Sequence, residues 1–263
     1  MSACSHRQPL TFCVASGKGG VGKTSITVNL AAALALGGHR VLVVDGDMGL
    51  ANVDLLLGIS VKHTIRDVLE RGDAPLDSVC FAFPNFAVLP ASSGVPEMVS
   101  LGADDQARLS QVLARLYKHF DLVLVDTAAG IGASVLWFNT MVDRNIVVLT
   151  PDPTAITDAY ALIKVHSQRH QRRRFALVVN QVGDAAEGRQ VFDKLESVAR
   201  RFLSAELTYL GGVEADPAVS RAVRQQQPFV TTFADSAAAR SVRRIADGLL
   251  ADVRTPPAAN GAH

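Results

Sequence analysis

The residues Ser16-Gly17-Lys18-Gly19-Gly20-Val21-Gly22-Lys23-Thr24 give the strongest indication of the fold of this chain. It follows an apolar, strand-like run at residues 10–15 and precedes an apolar, helical run at 26–36. The pattern G-x-x-x-x-G-K-[ST] of a phosphate loop is complete, with its fixed positions at Gly17, Gly22, Lys23 and Thr24. In such a loop, backbone N–H groups surround phosphate oxygens, and the following helix presents its positive end to the same anion. The stretch therefore predicts a nucleotide-phosphate site between the first strand and the first helix.

The phosphate-loop pattern assigns a task to each of its polar side chains. Lys23 is expected to reach the β- and γ-phosphates, and the Thr24 hydroxyl is expected to hold Mg²⁺. The residues expected to contact the nucleotide here are Gly17, Lys18, Gly19, Gly20, Val21, Gly22, Lys23, Thr24 and Ser25.

Composition fits a single α/β unit. The chain has 263 residues, of which 48% are hydrophobic and 19% are charged, so it is typical of neither a disordered nor a fibrous protein. The net charge is +1, and no global field draws the chain to nucleic acid or membrane. The three cysteines, Cys4, Cys13 and Cys80, lack paired or metal-like spacing, which fits a reducing compartment.

The two termini bear on location and domain organisation. Residues 1–9 are polar and lack the apolar region of a signal peptide, and no segment has the roughly 18 consecutive apolar residues of a membrane span. We expect a cytoplasmic protein, at most peripheral to the inner face of the membrane. We expect one domain over residues 1–254 and a disordered tail at 255–263, where two prolines stand among small residues.

Short β-branched runs alternate with helical patterns along the chain. Several strand candidates are almost entirely apolar, which indicates burial on both faces of a parallel sheet. The prediction is an α/β fold, doubly wound, with a mostly parallel sheet and helices on both faces. The predicted strands are 11–16, 40–45, 86–89, 122–126, 145–150, 175–180 and 209–213, and the predicted helices are 25–36, 105–119, 154–168, 187–203 and 237–253.

Three carboxylates stand where predicted strands end. Asp45 ends the second strand, and Asp47 follows beyond a glycine. Asp126 ends the buried run 122–126, which is the Walker B arrangement, and it is expected to reach Mg²⁺ through water. Because parallel strands end at the same edge of a sheet, all three side chains should lie near the phosphate loop.

A second lysine in the loop, Lys18, is not required by the general pattern. The form K-G-G-x-G-K-[ST] resembles the deviant Walker A sequence of the MinD/ParA-like ATPases. This resemblance implies ATP as the nucleotide and a homodimer with ATP, in which Lys18 reaches the partner's nucleotide. The alternative interpretation of residues 16–24 is a glycine-rich turn that binds no ligand.

The carboxylate segments are similar to the switches of the same family. Residues 45–52 resemble switch I, which implies that Asp47 positions or activates the attacking water and that Asp45 supports the Mg²⁺ shell. Residues 126–130 resemble switch II. The implied catalytic residues of a slow ATPase are Lys18, Lys23 and Asp47, and the implied metal residues are Thr24, Asp45 and Asp126.

Two further residues are candidates for the base. Asn180 ends a late strand, and its amide offers the donor and acceptor that match adenine N6 and N7. The family resemblance implies the same role, and it places Asp216 in a loop that closes over the base. The alternative for Asn180 is a turn or helix-cap residue.

The run at residues 149–164, Leu-Thr-Pro-Asp-Pro-Thr-Ala-Ile-Thr-Asp-Ala-Tyr-Ala-Leu-Ile-Lys, is similar to the hallmark of FlhG proteins, also called FleN or YlxH. Residues 218–230 are similar to that family too, and the resemblance covers roughly 11–250. It implies an ATP-dependent dimerising switch that sets flagellar number and placement. The implied partner is an FlhF-like GTPase or a FleQ-like transcription activator. The N-terminus lacks the D-Q-A-x-x-L motif that stimulates FlhF, so that partnership is less expected.

Other functions share parts of this pattern. A MinD-type division-site regulator would carry the same nucleotide residues. A ParA-type DNA partition ATPase would need a basic surface, for which residues 169–174 are the one candidate run, and direct DNA binding is not expected. A metal-chaperone relative would need cysteines that the switch II loop lacks. The apolar stripe of helix 242–253 either packs on the sheet or serves as the membrane anchor known in MinD and FlhG proteins.

Overall fold

A computed structural model of the chain describes residues 8–73, 76–92 and 102–254, with side chains described as far as residue 251. Its strands are β1 (Leu10–Ser16), β2 (Val41–Gly46), β3 (Cys80–Phe83), β4 (Phe86–Leu89), β5 (Leu122–Ala129), β6 (Arg144–Leu149), β7 (Arg174–Val182) and β8 (Glu206–Glu214). Its helices are α1 (Lys23–Leu36), α2 (Val53–Leu57), α3 (Ile65–Arg71), α4 (Ala103–Tyr117), α5 (Ala133–Thr140), α6 (Pro153–His170), α7 (Ala185–Leu203), α8 (Pro217–Arg224), α9 (Phe229–Thr232) and α10 (Ala237–Arg254).

The eight strands form one sheet in the order β3-β4-β2-β5-β1-β6-β7-β8. Every neighbouring pair is parallel except β3 and β4. Most buried residues of α3 to α7 pack on one face, and those of α1, α2, α9 and α10 pack on the other, together with Ala155 of α6 and Ala222 of α8. The doubly wound, mostly parallel α/β fold is therefore confirmed. β2 is buried along its whole length, because helices cover both faces of the sheet.

All seven predicted strands are present; 86–89 agrees with β4 at both ends, and the other six have shifted ends. β8 begins at Glu206, three residues before its predicted start. The sequence did not reveal this start, because exposed and half-buried residues alternate at the beginning of this edge strand and form no apolar run. The prediction omitted β3, a four-residue edge strand that pairs antiparallel with β4. It also omitted the short helices α2, α3, α5, α8 and α9. The predicted tail at 255–263 lies outside the described residues.

Helix α10 carries the apolar stripe for which two interpretations were open. Val242, Ile245 and Leu249 are at most 2% exposed and belong to the core beneath the sheet, beside α1 and β8. The structure therefore favours core packing for this stripe over membrane anchoring, although the side chain of Val253 lies beyond the described ones. Among the described helices, none is long and apolar enough to cross a bilayer.

Part of the basic run at 169–174 is used within the fold. Arg172 donates to the carbonyl oxygens of Thr140 and Val142, at 2.6 and 2.9 Å, and so anchors the end of α6 to the end of α5. Arg174 pairs with Glu206 at 3.1 Å on the neighbouring strand. Two of the four arginines therefore already pair with groups of this chain, which weakens the interpretation of the run as a DNA-binding surface.

Candidate nucleotide site

The phosphate loop connects β1 to α1 and requires glycine at two points of close approach. Gly22 has φ 86°, and a Cβ there would lie 2.3 Å from Nδ2 of Asn180. A Cβ on Gly17 would lie 2.2 Å from the backbone of Asp158 in α6. The loop is therefore packed between β7 and α6, and no larger residue fits at either position without displacing them.

The Asp126 carboxylate accepts hydrogen bonds from three polar side chains at the start of α1. Nζ of Lys23 lies 3.1 Å from Oδ1 of Asp126, and both side chains are buried. The Thr24 hydroxyl donates to Oδ2 at 2.6 Å, and the Thr27 hydroxyl donates to Oδ1 at 3.0 Å. The structure thus brings together the predicted Lys23, Thr24 and Asp126. Sequence reasoning missed Thr27, whose signal was its position one helical turn after Lys23.

Asp45 faces Asp126 across the pairing of β2 with β5. Its carboxylate is buried and accepts backbone N–H groups of Asp47 and Asn52 at 3.1 Å and of Val53 at 3.2 Å. Burial raises the pKa of Asp45 to about 7, and the nearby negative charge of Asp126 adds to the rise. Two buried carboxylates and the Thr24 hydroxyl form the oxygen-rich set that Mg²⁺ prefers, so these residues fit the metal.

Asp47 lies on the loop after β2 and lines a cavity of about 220 Å³ at the phosphate loop. Its Oδ1 accepts the backbone N–H groups of Gly49 and Leu50, at 3.3 and 3.0 Å, which folds the loop into a tight turn. Further lining residues are Ser16, Gly19, Gly20, Val21, Gly22, Lys23, Thr24, Ser25, Asn52 and Ala129.

Lys18, which precedes the lining residue Gly19, is hydrogen-bonded to the start of α6. Its Nζ lies 3.1 Å from Oδ1 of Asp152 and 2.5 Å from the hydroxyl oxygen of Thr154. Asp152 also caps α6 by accepting the N–H of Ala155 at 2.9 Å. Hydrogen bonds, first from Thr150 and then from Thr154, hold the pKa of Asp152 well below its usual range. The 149–164 run therefore contributes a carboxylate and a hydroxyl to the lysine that distinguishes this loop.

Asn180 lies at the end of β7 against the phosphate loop. Its Nδ2 donates to the carbonyl oxygen of Val21 at 2.8 Å, and the following helix α7 is capped by Asp184 instead. The helix-cap alternative for Asn180 is therefore wrong. The amide lines a second cavity of about 350 Å³, together with Gly22, Ser25, Ile26, Gln181, Val213, Glu214, Ala215, Asp216, Val219, Ser220 and Phe229.

Ser25 connects the two cavities. It lines both of them, and its buried hydroxyl has no hydrogen-bond partner among the described residues. A buried polar atom without a partner is costly, and a ligand oxygen would satisfy it. The two cavities and this hydroxyl together have the composition that a nucleotide needs, with backbone N–H groups, hydroxyls and the Lys23 ammonium for phosphates at one end and the Asn180 amide for a base at the other.

Asp216 is in the predicted loop, but its oxygens are already engaged. One accepts the N–H of Ala218 at 2.8 Å and caps α8, and the other accepts the N–H of Ala238 at 3.3 Å in the first turn of α10. The hydrogen bond from Ala218 is the first cause that lowers the pKa of Asp216. The carboxylate therefore joins the starts of two helices beside the second cavity, and this placement favours loop positioning over direct contact with a base.

Comparison with known proteins agrees with this fold and site. The ParA family model, described as "NUBPL iron-transfer P-loop NTPase", matches residues 9–250. Among solved structures, MinD from Pyrococcus furiosus superposes with a TM-score of 0.76 at 26% identity, over 92% of this chain and 98% of that one. MinD from Pyrococcus horikoshii, solved with Mg-ADP, gives 0.75 at 26% identity, over 94% of this chain and 99% of that one.

The chain therefore belongs to the MinD/ParA family of P-loop ATPases. Within that family it is similar to the antiactivator FleN of Pseudomonas aeruginosa, at 42% identity over 89% of this chain and 84% of the relative. It is 35% identical to the flagellum site-determining protein YlxH of Helicobacter pylori, over 93% of this chain and 83% of the relative. The resemblance to the FleN/YlxH branch, inferred from the 149–164 run, is confirmed.

Proposed function

We propose that this ATPase is a dimerising switch that controls flagellar number or placement through partner proteins. The observation that carries the nucleotide part is the junction at Gly22 and Ser25, where a phosphate cavity meets a second cavity lined by Asn180. ATP would place its phosphates among the residues of 17–25 and its adenine beside Asn180. When bound, Mg²⁺ would offset the negative charge that develops on the phosphates, and Thr24, Asp45 and Asp126 would hold it.

The dimer part rests on Lys18. Its ion pair with Asp152 is more than 40% exposed on each side, so the pair adds little stability and is easily exchanged. We infer that the ammonium leaves Asp152 and contacts the phosphates of a second copy when both copies hold ATP. Such a contact would make the assembly depend on nucleotide, with a stable dimer only in the ATP state.

The flagellar part is supported by the relatives. The names of FleN and YlxH refer to an antiactivator and to flagellum site determination, and both relatives match most of this chain. By contrast, MinD of Thermotoga maritima is 37% identical over only 57% of this chain. These similarities favour a flagellar regulator over a division-site regulator. The partner in this proposal is a FleQ-like transcription activator, with an FlhF-like GTPase as the second candidate.

A nucleotide-dependent capture experiment tests the function. Protein carrying Asp47→Ala, held in the ATP state, is immobilised and offered a purified FleQ-like activator, an FlhF-like GTPase, DNA and anionic vesicles in separate assays. We expect retention of the activator with ATP and no retention with ADP. Lys23→Ala, which lacks the phosphate counter-charge, is the matched control and should retain nothing. Retention of DNA alone, or of vesicles alone, would contradict the proposal.

A further inference from the structure

Gln226 adopts a backbone conformation that few non-glycine residues take. It lies two residues after α8, and its φ of 53° is in the left-handed region. Its side-chain Nε2 donates to the carbonyl oxygen of Leu55 in α2 at 2.9 Å, across 171 positions of sequence. The side chain also packs against Gly58, where an added Cβ would lie 3.2 Å from Cβ of Gln226. This residue therefore joins α8 to α2.

The start of helix α2 is hydrogen-bonded to the candidate metal residue Asp45. The N–H groups of Asn52 and Val53, at the start of α2, donate to Oδ2 of Asp45. The helix has five residues, and Leu55 in its middle is 61% exposed. Such a short helix has little stability of its own, so its position depends on the contacts at its two ends. One end is the Asp45 carboxylate, and the other is near the Gln226 side chain.

Helix α8 forms part of the wall of the base cavity. It starts at the Asp216 cap, and Val219 and Ser220 in its first turns line that cavity. From there the chain leads to Gln226 just beyond its last turn. The base cavity and the loop that carries Asp45 and Asp47 are thus connected by one helix, one side-chain hydrogen bond and a second helix.

We propose that Gln226 is a positioning residue that couples occupancy of the base cavity to the placement of Asp45 and Asp47. With a base between Asn180 and α8, α8 is held in place, and the hydrogen bond from Gln226 holds α2 and the 45–52 loop with it. Binding of the base thus places the two carboxylates without any contribution from the γ-phosphate of ATP. This inference rests on the proposed roles of Asp45 and Asp47 in ATP hydrolysis.

Kinetic measurements on three variants separate the hydrogen bond from the backbone conformation. Gln226→Glu keeps the size of the side chain but removes the donor. Gln226→Asn tolerates the left-handed conformation but is one methylene too short to reach Leu55. We expect both to lower kcat for ATP about five-fold, the effect of one lost hydrogen bond, while KM stays within about two-fold. Gln225→Glu is the matched control, because the adjacent Gln225 side chain is exposed and makes no hydrogen bond in the described structure, and it should behave as wild type.

Hydrogen exchange tests the coupling directly. ADP fills the base cavity without a γ-phosphate, so we expect it to slow exchange of the amides at 53–59 several-fold in the wild type. In Gln226→Glu the same ADP should leave those amides unchanged, while the amides of the phosphate loop are still protected. Equal protection of 53–59 in both proteins would overturn the inference. Unchanged kcat in Gln226→Glu, or a parallel loss of kcat and ADP affinity, would overturn it as well.

Failure of the proposed catalytic site and failure of the Gln226 coupling give different experimental results. If Asp47→Ala hydrolyses ATP at the wild-type rate, the proposed site is wrong and the coupling has no target. If Asp47→Ala is inactive and Gln226→Glu is fully active with intact protection of 53–59, only the inference about Gln226 is wrong.

Discussion

At the scale of single residues, the site consists of carboxylates whose oxygens are committed in different ways. Asp126 receives one lysine and two hydroxyl groups, and Asp45 receives three backbone N–H groups. Asp47 receives two backbone N–H groups on one oxygen, and its other oxygen has no partner in the described structure. Of the three, Asp47 therefore has the most acceptor capacity left for a water molecule beside the phosphate cavity.

Removal of the Asp47 carboxylate should separate ATP binding from turnover. We expect Asp47→Ala to bind ATP within about three-fold of the wild-type affinity and to lose about 100-fold in kcat, a typical contribution of a positioned acid–base group. Asp47→Asn keeps an acceptor for the Gly49 and Leu50 N–H groups, so it reports the contribution of the negative charge. Phosphate release and calorimetric titration measure the two quantities. Unchanged phosphate release in Asp47→Ala would remove this residue from catalysis.

A second prediction at this scale concerns His166, which is buried on the sheet-facing side of α6. Neither of its ring nitrogens has a hydrogen-bond partner in the part of the chain that the structure describes. Burial, followed by the positive charges of His170 and Arg172, lowers its pKa from 6.5 to about 4. Between these values the unfolded chain binds a proton that the folded chain does not, so the contribution of His166 to the free energy of unfolding falls as pH falls. From pH 7.5 to pH 5 this contribution should fall by about 2 kcal/mol, while the raised pKa of Asp45 acts in the opposite direction.

Urea denaturation at these two pH values measures the contribution of His166. In His166→Leu the part of the pH dependence due to this residue should disappear, and stability at pH 7.5 should be unchanged or higher, since an unpaired buried polar group is removed. His119→Leu, at an exposed position, is the control and should keep the wild-type slope. A wild-type slope in His166→Leu would show that the pKa of His166 is not lowered by folding.

At the scale of elements, helix α10 shows how context decides the use of an amphipathic pattern. Its apolar side chains pack against α1 and β8, and Arg243 donates to the carbonyl oxygens of Ala234 and Val230 at 2.8 and 2.9 Å. These contacts hold the helix on the sheet, so its apolar stripe contributes to folding stability. The stripe is then not available to a membrane while the helix stays in this position.

A charge in the stripe should therefore destabilise the protein. Leu249→Glu buries a carboxylate at a 1% exposed position, and we expect a loss of about 3 kcal/mol or more and a clearly lower Tm. Gly248→Glu places the same group at the adjacent exposed position, where an added Cβ meets no atom within 4 Å, and should leave Tm nearly unchanged. Thermal melting checks both variants. A stable Leu249→Glu protein, combined with ATP-dependent sedimentation of the wild type on anionic vesicles, would favour the anchor interpretation instead.

At the scale of the whole molecule, the nucleotide site is at the carboxyl edge of the sheet and its rim is open. β1, β2, β5 and β7 all end there, and Lys18 is partly exposed beside the phosphate cavity. A second copy that approached this edge would bring its own Lys18 toward the phosphates. The end of the sheet at which these strands terminate is therefore the expected interface of the ATP-dependent dimer.

Light scattering tests this assembly. We expect wild-type protein to shift from monomer toward dimer with ATP and to return with ADP. Asp47→Ala should accumulate as a dimer, because ATP is not consumed, and adding Lys18→Ala should weaken that dimer about ten-fold or more through loss of a charge-assisted contact. Lys194→Ala, at an exposed position on α7, is the control. A monomeric Asp47→Ala protein at saturating ATP would contradict the sandwich arrangement.

Local patterns in the sequence determined much of this protein. The spacing of Gly17, Gly22, Lys23 and Thr24 is a property of eight consecutive residues, and the apolar run of four residues before Asp126 is equally local. Backbone conformation and strand burial follow from such short-range patterns, which is why the sheet, the phosphate loop and the carboxylates at the strand ends were predictable. The 149–164 run was sufficient to indicate the branch of the family.

Only the tertiary structure decided which distant groups meet. The bond of Lys18 to Asp152 spans 134 positions, and that of Gln226 to Leu55 spans 171. Helical periodicity showed that α10 has an apolar face, but the partner of that face depends on β8 and α1. The two-helix role of Asp216 and the edge strand β3 likewise depend on neighbours supplied by the folded chain. Sequence spacing describes what a segment can bury or donate, and the packing of the whole chain determines the group that receives it.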